Sequence, residues 1–286
     1  MRAPSAHNPR RTGDPDAGPA HLEPQGDRWV SEPGRSHDRD FVASMEKSLL
    51  LIEAFEAEQP RLTVADAARK TSLTRAAARR YLLTLVALKY ADTDGKHFWL
   101  TPRVLRLGYA FLSTTPLTKL AQPILDRVGE KLKMVTSLAT LDDRDVVFVA
   151  RSAAIRRVIS ASSDVGSRLP AYCTAAGRVM LAQRDDEALR AFFTAGKRRK
   201  LTSYTKTRLD ELMAEIAAIR TAGYAVSDEE LEIGLRSIAV PVRSSRGEMD
   251  LSIVVSLLTT HMSVDDMIRS ILPELLASKQ ALEVML

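Results

Sequence analysis

The chain is poor in the residues that staple a fold or hold a metal. One cysteine, Cys173, stands among 286 residues. That excludes an internal disulfide, and no cysteine–histidine set has zinc-ligand spacing, so neither a structural metal nor a cofactor is expected. Three of the five histidines (His7, His21, His37) lie in the first forty residues, where they read as solvated polar side chains. No stretch approaches the roughly 18 apolar residues of a spanning helix. The Met1-Arg2-Ala3-Pro4 start leads into no apolar run of the kind a secretory signal needs. A cytoplasmic protein without a membrane partner is the expectation.

What is present is an ordinary globular composition, 45% hydrophobic and 27% charged, with a formal net charge of +5. At about 150 residues per domain the length suits two domains and a connector. Residues 1 to 40 carry six of the 13 prolines and four glycines. They bury too little apolar surface to offset chain entropy and read as a disordered tail.

From Ser44 the pattern becomes helical, with Met45, Leu49, Ile52 and Phe55 at helical spacing up to Gln59-Pro60. Thr63 and Asp66 have the form of a capping box for a short second helix ending near Thr71. After a tight turn at Ser72-Leu73, Thr74 is placed to cap a third helix that runs to about Leu88. Tyr90 to Asp92 and His97 to Leu100, joined through Asp94-Gly95, read as a β-hairpin. Two short helices, a three-residue turn and a hairpin make a winged helix-turn-helix. Thr101-Pro102 then starts a connecting helix through about Leu112, and Thr114-Thr115-Pro116 closes it.

The remainder mixes strand and helix signals and reads as an α+β domain. Strands are expected near 135 to 141, 146 to 151, 158 to 161, 238 to 242 and 251 to 257. Helices are expected after Thr174, at Asp185 and at Arg208. Ser263 and Asp266 suggest a second capping box, Met262 and Met267 a hydrophobic staple, and Pro273 a break or kink in the last helix. The expected boundaries are a tail at 1–40, a DNA-binding domain at 41–101, a linker helix at 102–115 and a second domain at 116–286.

In the third helix, Ala78, Tyr81, Leu82, Leu85 and Leu88 fall on one side and Arg75, Arg79 and Arg80 on the other. Five basic residues and no acid lie between Arg69 and Arg80. Ala76 and Ala77 leave room at the end that a recognition helix presents to base edges. A charged helix face by itself is more often merely solvated, but the capped helix before it and the hairpin after it make this arrangement specific. The expected DNA contacts are Ser72, Thr74, Arg75, Ala76, Arg79 and Arg80, with Lys96 and His97 of the wing on flanking backbone.

In the second domain, Cys173-Thr174-Ala175-Ala176-Gly177 is a cap followed by small residues at a helix start. It reads either as an ordinary packed helix or as a carboxylate site at exposed amides. Tyr172 is placed to flank a flat ring. Arg178 and Arg236 are either charge donors to such a ligand or ion-pair partners of acids such as Glu229 or Glu232. The loop Gly196-Lys-Arg-Arg-Lys200 reads as a solvated connection, and Cys173 as a buried thiol.

Three segments carry a resemblance. They are Leu73-Thr-Arg-Ala-Ala-Ala-Arg-Arg-Tyr-Leu-Leu-Thr-Leu85, Arg168-Leu-Pro-Ala-Tyr-Cys-Thr-Ala-Ala-Gly-Arg-Val-Met-Leu-Ala182 and Asp228-Glu-Glu-Leu-Glu-Ile-Gly-Leu-Arg-Ser-Ile-Ala-Val-Pro-Val242. Over about residues 41 to 286 the chain resembles the isocitrate-lyase-regulator (IclR) family of bacterial transcription factors. It is most similar to the branch controlling the β-ketoadipate pathway and 4-hydroxybenzoate use. The resemblance implies a GAF-like effector domain and a homodimer or tetramer on double-stranded operator DNA. It also implies a small organic acid effector of the β-ketoadipate, protocatechuate or 4-hydroxybenzoate class, and RNA polymerase as a partner if the protein activates.

Position by position, the resemblance adds Ser227, Ser237 and Ser256 to Tyr172, Thr174, Ala175, Ala176 and Gly177 as effector-lining residues. The sequence departs from the family at Leu251 and Val254, where small or polar residues are common, and at Thr71, where the inter-helix turn often carries glycine. A regulator of another carbon-catabolism pathway is the alternative. An enzyme with an appended DNA-binding domain is disfavoured, because outside the tail only His97 and His261 remain and no nucleophile or phosphate-loop motif accompanies them.

Overall fold

The computed structural model describes residues 40–153, 164–243 and 250–286. The chain divides into two compact units, one through Ala110 and one from Phe111. The strand expected at 158 to 161, and residues 1–39 of the tail expected at 1–40, lie outside the described residues.

The first unit contains α1 (Ala43–Glu53), a two-residue strand β1 (Leu62–Thr63), α2 (Val64–Thr71), α3 (Arg75–Ala87), β2 (Ala91–Thr93) and β3 (His97–Leu100). β3 is central, pairing antiparallel with both β1 and β2. The capping box expected at the start of α2 is present, with the Thr63 hydroxyl accepting from the Asp66 amide at 3.2 Å and the Asp66 carboxylate accepting from the Thr63 amide at 3.1 Å. The Thr63 hydroxyl and amide hold the Asp66 carboxyl down at about 2. Thr74 caps α3 through the Ala77 amide at 3.2 Å. Local side-chain to backbone bonds therefore delimit both helices of the motif, which is why their bounds were legible.

The core of this unit is built from Leu51, Ala54, Leu62, Ala67, Ala68, Ala78, Leu82, Leu85, Ala91 and Phe98. Helical spacing marks these helices without fixing which apolar positions are buried, and the one face expectation, that Leu88 packs with α3, fails. α1 turns Leu51 and Ala54 inward and leaves Met45 (64%) and Leu49 (43%) exposed, and Leu88 is 54% exposed just beyond α3. α1 carries apolar side chains on two faces, and periodicity alone does not choose between them.

The glycine-like position of the inter-helix turn also moves. Thr71 is the buried last residue of α2, its hydroxyl bonded to the Ala67 carbonyl at 2.7 Å. The left-handed residue is Ser72, at φ 55°. A left-handed backbone costs an L-residue about 1–2 kcal/mol, and glycine gives part of that back as chain entropy. We expect Ser72→Gly to stabilise this unit by about 0.5–1 kcal/mol, read as a raised unfolding midpoint; a lowered midpoint would mean that the serine side chain is what holds the turn.

A 3-10 turn (Pro102–Val104) leads into α4 (Leu105–Thr114), so the connecting helix begins three residues later and ends two residues beyond the expected point. α4 buries none of its residues.

The second unit is a six-stranded antiparallel sheet in the order β6-β5-β4-β9-β8-β7. Its strands are β4 (Val135–Asp142), β5 (Asp145–Arg151), β6 (Arg168–Pro170), β7 (Ala225–Asp228), β8 (Leu235–Arg243) and β9 (Asp250–Leu258). One face is covered by α5 (Pro116–Leu132) and α9 (Val264–Glu283), whose Leu117, Ala121, Leu125, Met267, Ile271 and Leu275 pack on Leu138, Val240, Ile253 and Val255. The other face carries α6 (Ala175–Leu181), α7 (Asp186–Ala195) and α8 (Leu209–Ala222), packed on Ala139, Val146, Ala239 and Val254. Helix α5 and the short strands β6 and β7 were not foreseen.

Helix α9 runs through Pro273 without a break. Proline removes one backbone donor, while buried Met267 and Ile271 before it and Leu275 and Leu282 after it anchor both halves in the same apolar cluster. Met262 and Met267 both join that cluster. The Ser263 hydroxyl accepts from the Asp266 amide at 3.1 Å and donates to the Asp266 carboxylate at 2.6 Å.

Candidate DNA interface and effector site

On α3 the packed and cationic faces separate as the sequence implied. Ala78, Leu82 and Leu85 are buried, while Ser72, Thr74, Arg75, Ala76, Arg79 and Arg80 are exposed. Among the described residues Arg75, Arg79 and Arg80 form no ion pair, so their charge is available to an external anion. The other two basic residues of the run differ. Lys70 is largely buried, bonded to Glu56 at 2.7 Å and to the Ala54 carbonyl at 3.2 Å, and it ties α2 to the end of α1. Arg69 leans on Asp66 at 3.3 Å.

In the wing, the Asp94 carboxylate accepts from the Lys96 amide at 2.9 Å and the His97 amide at 2.7 Å. These bonds, the His97 one foremost, keep its carboxyl at about 2. Gly95, at φ 93°, completes the turn. Lys96 is left exposed at the tip, and the His97 imidazole lies 3.3 Å from Asp94.

The second constellation is assembled by strand register. Ser227 pairs with Ser237, Ser237 with Ser256, and Ser256 with Val135, so three serines stand side by side across β7, β8 and β9. Residues directly opposite in an antiparallel pair share a face. That face is the one under α6, because the Ser227 hydroxyl donates to the Cys173 carbonyl at 2.9 Å. The Ser237 and Ser256 hydroxyls are half-buried and make no hydrogen bond to the described residues.

Above this row the Ala171–Cys173 turn and the start of α6 are wholly buried. Thr174 caps α6 by accepting from the Gly177 amide at 3.2 Å, and donates to the Pro170 carbonyl at 3.2 Å. Gly177 is where two backbones meet. A Cβ there would stand within 3.0 Å of the Ala171 carbonyl carbon, oxygen and Cα. α6 has only seven residues, so its macrodipole is small and the polarity of the site rests on hydroxyls and first-turn amides.

Tyr172 is buried, and its hydroxyl donates to the Arg199 carbonyl at 2.5 Å. Burial pushes that phenol above its ordinary value. The ring is packed in the cluster under α6, and the loop at 196 to 200 is stitched to the turn that carries it rather than simply solvated; Arg198 also donates to the Thr207 carbonyl at 2.7 Å. Burial drives the Cys173 thiol up to about 12, which leaves it an inert packing group.

Both arginines resolve as ion-pair members, with acids other than those expected. Arg178, fully buried, grips Glu230 at 2.5 and 2.6 Å and donates to the Tyr172 carbonyl at 2.8 Å. Arg236 pairs with Asp228 at 2.7 and 2.9 Å and with the Met262 carbonyl at 2.6 Å. The two departures from the family pattern also separate. Leu251 faces α5 and α9, whereas Val254 lies on the serine face beside Ala239.

Residues 109–284 match the model described as bacterial transcriptional regulator IclR C-terminal, and residues 44–95 match the IclR helix-turn-helix domain. The chain belongs to the IclR family of bacterial transcription regulators. It is 42% identical over 245 residues to the Pca regulon regulatory protein of Pseudomonas putida, covering 86% of this chain and 84% of that one. A transcriptional regulator from Rhodococcus sp. RHA1 is 40% identical, with a TM-score of 0.72 over 85% of this chain and 98% of the other. The inducer-binding domain of the Acinetobacter PobR transcription factor, a double mutant in complex with 3-hydroxybenzoic acid, is 29% identical. Its TM-score is 0.56, over 59% of this chain and 98% of that domain. As an IclR regulator the protein binds operator DNA and a small-molecule effector, and no helix among the described residues is long and apolar enough to cross a membrane.

Proposed function

We propose that this IclR regulator controls genes of aromatic-acid catabolism from the cytoplasm. Its effector is an aromatic or dicarboxylic acid of the 4-hydroxybenzoate, protocatechuate or β-ketoadipate class, held between the start of α6 and the serine row of the sheet. The observation that carries this is the in-register set Ser227, Ser237 and Ser256, two of whose hydroxyls make no hydrogen bond among the described residues, under the Thr174-capped first turn. Hydroxyls and the Ala175 and Ala176 amides donate to a carboxylate. Val254 and the Tyr172 ring offer apolar surface to a flat ring. One regulator to which the chain is similar is named for the Pca regulon, and a double mutant of another's inducer-binding domain is in complex with 3-hydroxybenzoic acid, which supports this choice of acid.

DNA is read by Arg75, Ala76, Arg79 and Arg80, with Ser72 and Thr74 at the helix start and Lys96 and His97 on flanking backbone. The exposed apolar side chains Met45, Leu49, Leu105, Leu107 and Tyr109 support a homodimer that buries them. The site senses rather than turns over its ligand, and coupling between effector and operator affinities is reciprocal. Contact with RNA polymerase follows only if the regulator activates.

The test is thermal unfolding of the full chain with 4-hydroxybenzoate, protocatechuate or β-ketoadipate. A ligand at 100 times its Kd stabilises the native state by about 2.7 kcal/mol. One of the three acids should raise the midpoint in the wild type and do so less in Ser237→Ala/Ser256→Ala. Silence from all three would sink the effector class, and an undiminished shift in the double variant would move the site elsewhere.

A further inference from the structure

We propose that Arg61, immediately before β1, is a DNA-backbone contact of the wing, held in place by Trp99. This rests on the reading of α3 and the wing as the DNA interface. Leu62 pairs with Phe98, so Arg61 comes alongside Trp99 on the outer face of the small sheet. Its guanidinium carbon lies 4.4 Å above the indole centroid. A stacked guanidinium keeps its in-plane N–H groups free, and that planar fork matches a phosphate. The side chain is 59% exposed, and its one acid partner among the described residues, Asp94, is at 3.8 Å, too far for a hydrogen bond. The arginine is thus positioned by the ring and holds only a loose, exposed ion pair with Asp94.

The charge balance of the wing gives the reason for it. Asp94 is required to lock the turn through the Lys96 and His97 amides, and β2 adds exposed Asp92 opposite Trp99. Against these two carboxylates the hairpin itself supplies one lysine, Lys96. A wing of that balance repels a phosphate backbone. Arg61 restores neutrality from outside the hairpin and brings a directed donor beside the tip. Among the described residues of this unit the other arginine over an aromatic ring, Arg103 on Tyr90 at 5.4 Å, sits at the far end of β3, where Thr101 bonds back to the Tyr90 carbonyl. It has no such position.

The experiment measures affinity of the full chain for a mixed-sequence duplex of about 30 base pairs, between about 50 and 200 mM salt. Wild type, Arg61→Ala, Arg61→Lys and Arg79→Ala are compared, with thermal unfolding run alongside. Each lost phosphate contact lowers the slope of log K against log salt by about 0.9, so the fall in affinity across this salt range shrinks about threefold. The proposal expects that change in Arg61→Ala at an unaltered midpoint, and recovery of the slope in Arg61→Lys. An unchanged slope in Arg61→Ala, or a lowered midpoint that lysine does not restore, overturns it and makes the stack a folding contact. If Arg79→Ala reduces the slope while Arg61→Ala does not, only the role of Arg61 falls. If neither does, the DNA interface itself is misplaced.

Discussion

Replacing Glu230 with alanine should destabilise the second unit by about 3–5 kcal/mol, the usual consequence of stranding one partner of a buried ion pair. Arg178 is fully buried, and Glu230 receives two of its guanidinium N–H groups at 2.5 and 2.6 Å. Glu230 also accepts from the Lys206 amide at 3.0 Å, and its own backbone carbonyl accepts from Thr205 at 2.7 Å. Without the carboxylate, the acid left closest to Arg178 among the described residues is Glu215, at 3.9 Å. A domain whose total stability is about 5–15 kcal/mol tolerates that poorly.

A urea titration reads the loss as a lower midpoint at unchanged slope. The double variant Arg178→Met/Glu230→Leu removes the stranded charge together with its partner and should recover much of the loss. A cost below about 1 kcal/mol for Glu230→Ala would show that Arg178 is satisfied by other groups. The pair joins α6 to the β7–β8 connection, and so would fix the roof of the proposed effector site against its serine floor.

The second large effect is expected from one methyl group. Gly177→Ala places a Cβ on backbone atoms of Ala171, with no flexible side chain to move aside. Either α6 shifts away from the Ala171–Cys173 turn or the turn itself moves, a strain of about 1–3 kcal/mol and sometimes more. Both shifts displace the Thr174 cap and the first-turn amides over the serine row. We expect effector binding to weaken at least tenfold, about 1.4 kcal/mol, under conditions where the far-ultraviolet spectrum shows the variant still folded. DNA affinity without effector should change little. Wild-type effector affinity in Gly177→Ala would mean that the ligand does not use the start of α6.

The winged helix-turn-helix was legible because its punctuation is local. Thr63 with Asp66, Thr74 with Ala77 and Asp94 with Lys96 and His97 are bonds across two or three residues, and each is visible as a residue type at fixed spacing. Choices stayed open where local pattern was degenerate. Met45 and Leu49 have the same helical spacing as residues that do pack. Pro273 reads as a break or a kink, and the break is ruled out only because the apolar surface on both sides of it shares one cluster. In the effector unit, Ser227, Ser237 and Ser256 were named through resemblance to a family, and nothing in the chain between them indicates that they meet.

The sequence by itself determined that a basic, Thr74-capped helix follows a short capped helix and precedes a hairpin, and that no disulfide could stabilise the chain. Only the tertiary structure decided which charges are free and which hydroxyls converge. Lys70 is spent on Glu56, Arg178 on Glu230 across 52 positions, and Arg236 on Asp228. Three serines from three strands form one row because β7, β8 and β9 pair in a single register. Side chains alternate with period two along a strand, so a slip of one residue would turn that row to the opposite face of the sheet. Non-local pairing of whole strands sets that register, whereas a helix cap is set within a single turn of chain.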